Sequence, residues 1–460
     1  MIATFAALAA SLALAAPQAT PAASPPAPSA PEAQAPAAKV GPWASEVAAM
    51  FQGGNLDGIS ARFAPQLASL LSPEAFREGW VGIEKRNGKL QSIGAPTLHK
   101  VGSTQAAAMP ARFEKADWTL TVAFDVDGKI TSLRFTPSGM GPAAGAPAPE
   151  FRAPPYANPA RFSESDVSVG VAPWILPGTL SMPVGKGPFP AVVLVHGSGP
   201  HDRDETVGGT KVFRDLAWGL ASRGVAVLRY EKRTKAHGDK VGSAPVTVKD
   251  EVVDDAVAAV ALLRATRGVD PRRIVVLGHS QGGSLAPRIA AADGQVAGVI
   301  SLAGSTRPMA DLIDDQLDYL VANGAAKEED VASLREEAQR IRALDPAKTP
   351  PPERIMGAPP AYWIDLRTYD PGATAARNAI PILVLQAGRD YQVTGKDLDG
   401  WKKALEGASF AKFHTFPKAN HLFVFGDGKS LPAEYQGTAN VAGEVVDWIA
   451  KWVKALPARK

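Results

Sequence analysis

The chain has 460 residues, 49 lysines and arginines against 46 aspartates and glutamates, and no cysteine. That length carries two or three domains and a large core. A net charge of +3 without a basic stripe excludes a nucleic-acid footprint, and the lack of cysteine excludes disulfides, a thiol nucleophile and thiolate metal sites.

Residues 2–16, IATFAALAASLALAA, are almost wholly apolar. The run is shorter than the roughly 20 residues of a membrane-spanning helix. Ala13-Leu14-Ala15 fits an A-x-A cleavage site, so residues 1–16 read as a signal peptide of an exported, periplasmic or secreted protein with no stable membrane span. Only the amino terminus supplies positive charge ahead of the run, which keeps an uncleaved anchor or a shifted start as alternatives. Residues 17–42 are a Pro/Ala linker. Structure is expected to resume near Trp43.

Helical spacing follows in SEVAAMF and LDGISARFAPQLASLL, then in SPEAFREGWVGIEKR, with Ser72 as N-cap, Pro73 at the first helical position and Glu74 in the first turn. The stretches APTLHKV, AAMPARFEK, DWTLTVAFDV and ITSLRFTPS read as strands, with Asp127-Gly128 as a hairpin turn. Residues 43–138 are therefore a small α+β domain, and 139–159 a second linker.

From 160 to 460 the pattern alternates. Continuous apolar strands (DVSVGV, AVVLVHG, GVAVLRYE, RIVVLGH, VAGVISLAG, AIPILVLQAG, AKFHTFP) are separated by helical stretches. This predicts an α/β fold, a mostly parallel sheet with helices on both faces. About 76 residues with helical spacing interrupt the rhythm between Gly304 and Ile380, and 305–380 is expected to be a lid.

The sharpest motif is Gly278-His279-Ser280-Gln281-Gly282, between an apolar strand and a helical pattern. A serine at such a strained turn needs small residues two positions either side, which Gly278 and Gly282 provide. A serine alcohol also needs a base and an acid that orients it, in the chain order Ser, Asp, His. Asp390 lies just past a buried strand; Asp397 and Asp399 are rivals but fall in the next helical stretch. His421 lies in a loop after a strand, whereas His414 lies inside that strand and reads as structural. The developing oxyanion needs aimed N–H groups. One is assigned to Gln281 and the other to Ser198, with Gly199 as its rival, in the loop opened by Gly197. His196, His201, Asp202 and Asp204 could suggest a metal, but the same residues fit a structured oxyanion loop better. No metal and no cofactor are assigned.

Together HGSGPHDRDE, RYEKR, GHSQGG, GRDYQVT and NHLF resemble the α/β-hydrolase superfamily over residues 160–456, in particular bacterial serine carboxylesterases with a small extra N-terminal domain. The resemblance implies Ser280 as nucleophile, Asp390 as acid and His421 as base. Residues 43–138 resemble small domains of unknown function found ahead of such esterases, which implies no activity. There is no HGGG oxyanion run, and the lid is not diagnostic of a substrate. A carboxylate would be needed at position 280 for a dehalogenase. The expectation is a serine carboxylesterase acting on a small-molecule ester through an acyl-enzyme. Thioesterase, peptidase and acyltransferase share this machinery. An inactive envelope binding protein is the alternative from another class. The small domain is expected to bind, either shaping the pocket beside the lid or pairing subunits into a homo-oligomer.

Overall fold

The computed structural model describes residues 37–101, 104–137, 151–238, 241 and 246–459. The expected signal peptide, most of the first linker and the first half of the second lie outside these residues. Among these, residues 37–137 with 241 form one compact unit, and 151–238 with 246–459 form the other.

The N-terminal unit opens with helices α1 (Ala37–Gln52), α2 (Leu56–Ser60), α3 (Pro65–Leu70) and α4 (Pro73–Asn87). Five antiparallel strands follow: β1 (Leu90–Ile93), β2 (Thr97–Val101), β3 (Thr104–Phe113), β4 (Asp117–Phe124) and β5 (Ile130–Pro137). They run in the order β1-β3-β4-β5, with β2 also paired to β3. Helix α1 starts at Ala37, inside the stretch expected to be linker. The cause is an apolar face that begins at Val40 and continues through Ala44, Val47, Ala48 and Phe51, all buried. Pro42 costs the second turn one backbone hydrogen bond, and the buried face outweighs it. Aromatic rings fill the core: Phe51 lies 4.8 Å from Trp80 and 5.2 Å from Phe135. The Asp127-Gly128 turn is present between β4 and β5, with Gly128 at φ +77° and the Asp125 carboxylate accepting from the Asp127 and Lys129 N–H groups.

The larger unit is built on eight strands: β6 (Phe162–Val169), β7 (Leu176–Pro183), β8 (Phe189–Val195), β9 (Ala226–Tyr230), β10 (Val269–His279), β11 (Gly298–Leu302), β12 (Ile382–Ala387) and β13 (Ala411–Phe416). Their order is β13-β12-β11-β10-β8-β9-β7-β6. All neighbours are parallel except β9–β7 and β7–β6. β8, β11, β12 and the second half of β10 are largely apolar on both sides because helices cover both faces. These include α5 (Val212–Ala221), α6 (Asp254–Ala265), α7 (Gln281–Asp293) and, past the lid region, α12 (Gly395–Ala404) and α13 (Gly443–Ala455). Val193, Val276, Leu285 and Ile289 sit in one buried cluster, each side chain contributing roughly 1.5–3 kcal/mol by leaving water.

Two features position a site. Strand β8 leads to β9 on one side, and the chain then crosses to β10 on the other. The carboxyl ends of β8 and β10 therefore flank a topological switch point, where open α/β sheets form a crevice. Between β11 and β12 lie four helices, α8 (Met309–Ala322), α9 (Glu328–Ala343), α10 (Pro360–Arg367) and α11 (Pro371–Asn378), in the interval expected to be a lid.

Candidate active site

Strand β10 ends at His279 and α7 begins at Gln281, so Ser280 is the single residue of the turn. It is held at φ 53°, ψ −118°, a conformation that an L-residue adopts only under constraint. The constraint is visible in its neighbours. A side chain on Gly278 would overlap the Gly282 carbonyl, and one on Gly282 would overlap the Val195 carbonyl at the end of β8. The Ser280 N–H donates to the Leu302 carbonyl at 2.8 Å, and the Ser284 N–H donates to the Ser280 carbonyl at 3.1 Å. Gln281 is the first helical residue, so its N–H has no acceptor within the helix.

Asp390 lies in the loop after β12 and is buried. Its Oδ1 accepts from the N–H groups of Gln392 at 2.7 Å and Val393 at 3.0 Å. Its Oδ2 faces His421 Nδ1 at 2.7 Å. This contact places the proton on Nδ1 and leaves Nε2 as the free base. Burial pulls the His421 pKa below the ordinary value; Asp390 opposes the shift and His279 adds to it. The His421 carbonyl lies 2.9 Å from His279 Nε2, which joins the His421 loop to the residue before Ser280. The rivals lie elsewhere. His414 stacks on Trp448 with ring centroids 4.0 Å apart. Asp397 caps α12 and accepts from Arg307 Nη2 at 2.9 Å. Asp399 lies within α12.

The loop after β8 meets the elbow directly. A Cβ on Gly197 would sit 3.2 Å from Ser280 Cβ. The Gly197 N–H is taken: it donates to Glu205 Oε1 at 2.7 Å. Ser198 and Gly199 follow it in the loop, and Gly199 is at φ +103°. The acids and histidines of this loop hold the loop itself. His196 Nε2 lies 3.0 Å from the Asp202 carbonyl and His201 Nε2 2.8 Å from the Ser198 carbonyl. Asp202 accepts from the Thr206 N–H, and Asp204 pairs with Lys211, Arg214 and Arg229.

Sequence reasoning passed over Glu205 and His279. Glu205 is buried and sits at φ 47°. Its second oxygen faces His279 Nδ1 at 3.0 Å. With a carboxylate on one ring nitrogen and a carbonyl on the other, His279 meets two acceptors and holds both protons. The pair shifts accordingly. Burial pushes the Glu205 carboxyl up, but His279, with His201 and His196 behind it, brings it down to about 2; burial pushes His279 down, but Glu205, with the His421 carbonyl and Asp390 behind it, holds it above the ordinary value. An acid 74 positions from its partner leaves no spacing signal; the only hint is that HGSGPHDRDE carries more charge than a solvated loop needs.

An alpha/beta hydrolase family model matches residues 192–433, more than half of the chain. The chain belongs to the alpha/beta hydrolase family. This hydrolase is 41% identical over 388 residues to Esterase EstD of Thermotoga maritima, covering 84% of this chain and 89% of that protein. Residues 44–133 match a family of proteins of unknown function, DUF3887. Among solved structures it is similar to a Pyrococcus furiosus esterase (14% identity, 64% of this chain, 92% of that one, TM-score 0.42). It is also similar to Est1E from Butyrivibrio proteoclasticus (16%, 63%, 96%, 0.40).

Proposed function

We propose that this hydrolase is a serine carboxylesterase that acts through an acyl-enzyme on Ser280. The contact that carries the reading is His421 Nδ1 on Asp390 Oδ2 at 2.7 Å, in a loop tied to the serine turn through His279. It is supported by the relationship to EstD, a protein named as an esterase.

His421 Nε2 takes the Ser280 proton as Oγ attacks the acyl carbonyl. The C–O double bond opens to an oxyanion, met by the N–H groups of Gln281 and Ser198. The imidazolium returns the proton to the leaving alcohol as the ester bond breaks. Water, deprotonated by His421, then attacks the acyl-enzyme and releases the carboxylic acid and free Ser280. Asp390 stays ionised and stabilises the imidazolium. None of these steps needs a cofactor. The ligand is a small-molecule ester. Export is part of the same proposal and rests on the apolar run at 2–16: protein from the native host should begin near Ala16, and intact Met1 in a cytoplasmic fraction would contradict export.

The reaction is tested with a panel of p-nitrophenyl esters, a peptide anilide and an acyl-thioester. The esters should be turned over with the highest kcat/KM. A clear preference for the thioester or the anilide would move the protein to the thioesterase or peptidase reading.

A further inference from the structure

A buried chain of polar groups runs behind the oxyanion loop, and the reaction described above leaves it unexplained. Lys232, two residues past β9, is 2% exposed. Its Nζ donates to the Gly197 carbonyl at 2.8 Å and lies 3.5 Å from Glu251 Oε1. Glu251, also buried, accepts from Thr234 Oγ1 at 2.8 Å and from the Tyr362 hydroxyl at 2.9 Å. A carboxylate only accepts, so the Tyr362 proton is committed to it. The Tyr362 oxygen is then free to accept from Gln281 Nε2, 2.9 Å away. The chain thus begins at the Gly197 carbonyl and ends at the Gln281 side chain. One end belongs to the Gly197–Ser198 peptide, whose N–H reads as an oxyanion donor, and the other is the side chain of Gln281, the residue whose backbone N–H reads as the second donor; Tyr362 belongs to helix α10.

The geometry at the first end is informative. Gly197–Ser198 is a trans peptide, so its N–H points opposite to its carbonyl. A buried amino group that pins the carbonyl therefore fixes the direction of the Ser198 N–H. Glu205 on the Gly197 N–H clamps the adjacent peptide. A charged donor on the carbonyl also polarises the amide, which strengthens its N–H as a donor. A lysine is costly to bury. Here it sits at the position that sets this one peptide plane.

We propose that Lys232 is a positioning residue of the oxyanion hole, acting with Glu251 and the lid residue Tyr362 to hold the Ser198 N–H and Gln281 in donor geometry. The proposal rests on the serine-esterase reading above. It makes the lid part of the catalytic apparatus: Tyr362 completes the link only when α10 is seated.

The test uses the full chain and the variants Lys232→Met, Tyr362→Phe and the double variant. Active sites are counted with a fluorophosphonate, turnover is measured on p-nitrophenyl butyrate, and a trifluoromethyl ketone serves as the oxyanion-forming inhibitor. For Lys232→Met, kcat per labelled site should fall roughly 10- to 100-fold, the range expected of a misplaced oxyanion donor, with KM within about threefold. Affinity for the ketone should fall by a similar factor. Tyr362→Phe should show a smaller loss of the same kind, and the double variant should lose little more than Lys232→Met alone, since both act through one chain. A purely structural role would lower the melting temperature and the labelled fraction but leave kcat per site and ketone affinity unchanged, and that result overturns the proposal. If Lys232→Met does not fold, Tyr362→Phe decides, because it removes a single oxygen: unchanged kcat per site and ketone affinity overturn the proposal, and a parallel loss supports it. A wild-type protein that is not labelled at Ser280 overturns the esterase reading itself, before any variant is compared.

Discussion

His414 and His421 stand seven positions apart, and their surroundings separate them. One ring lies flat on Trp448 and the other meets a buried carboxylate. Replacing His421 with alanine should cost roughly 10⁴-fold or more in kcat, whereas His414→Ala should stay within about threefold of wild type on p-nitrophenyl acetate. The reverse ranking would exchange their roles. The pH profile follows from the same residue. As the proposed base, His421 has to be neutral to accept the serine proton, so activity should be lost as pH falls through its pKa. Burial and His279 hold that pKa below the ordinary histidine value, against the pull of Asp390. The acid limb of kcat/KM should therefore lie below about pH 6.5. Glu205→Gln removes the carboxylate that keeps His279 charged, so the repulsion on His421 disappears and the limb should move to higher pH. A limb unmoved in that variant would mean that His279 carries no charge beside the base.

At the scale of elements, the elbow was legible and the reason is steric. A strand of continuous apolar residues, a serine between two glycines and a helical pattern admit few other geometries. Gly282→Ala tests it: the new methyl would overlap the Val195 carbonyl, a backbone group that cannot step aside. The variant should lose about 1–3 kcal/mol or more of stability, read as a lowered denaturation midpoint, together with most activity. Wild-type stability would show that β8 and α7 do not meet as described. That Asp390 rather than Asp397 faces His421 was legible for a similar reason, since a loop acid past a strand end is free to turn toward the sheet edge. Asp397 has its own task. It is fully buried and accepts from Thr306 and Arg307 at the start of the four-helix interval between β11 and β12. Asp397→Ala should destabilise the protein by about 1–3 kcal/mol, as expected when a buried acceptor shared by several donors is lost. Activity per labelled site should persist in the fraction that folds. Less was legible where contacts join distant loops. Glu205, Lys232, Glu251 and Tyr362 reach their partners across gaps of 8 to 111 positions, and no periodicity marks such pairs. The early start of α1 was hidden by composition, because proline and alanine around Val40 look like linker until the buried face is counted.

For the whole molecule, the two units have separate hydrophobic cores, one around Phe51, Trp80 and Phe135, the other around the eight-stranded sheet. The N-terminal unit supplies none of Ser280, Asp390 and His421. A truncated protein beginning at Phe151, shown to be folded by circular dichroism and gel filtration, should hydrolyse p-nitrophenyl acetate with kcat within about tenfold of the full chain, roughly 1.4 kcal/mol of transition-state stabilisation. Bulkier esters should lose more, because contacts remote from the reacting bond supply their binding energy. A folded truncation inactive on the acetate would mean that the small unit completes the site.

The most direct test of the central claim is to treat the full-length protein with a fluorophosphonate and map the adduct by peptide mass spectrometry while following esterase activity. The account predicts one adduct per chain, on Ser280, with activity lost in proportion to labelling and no adduct in Ser280→Ala. Labelling at Ser198 instead, or full ester turnover by Ser280→Ala, would contradict it.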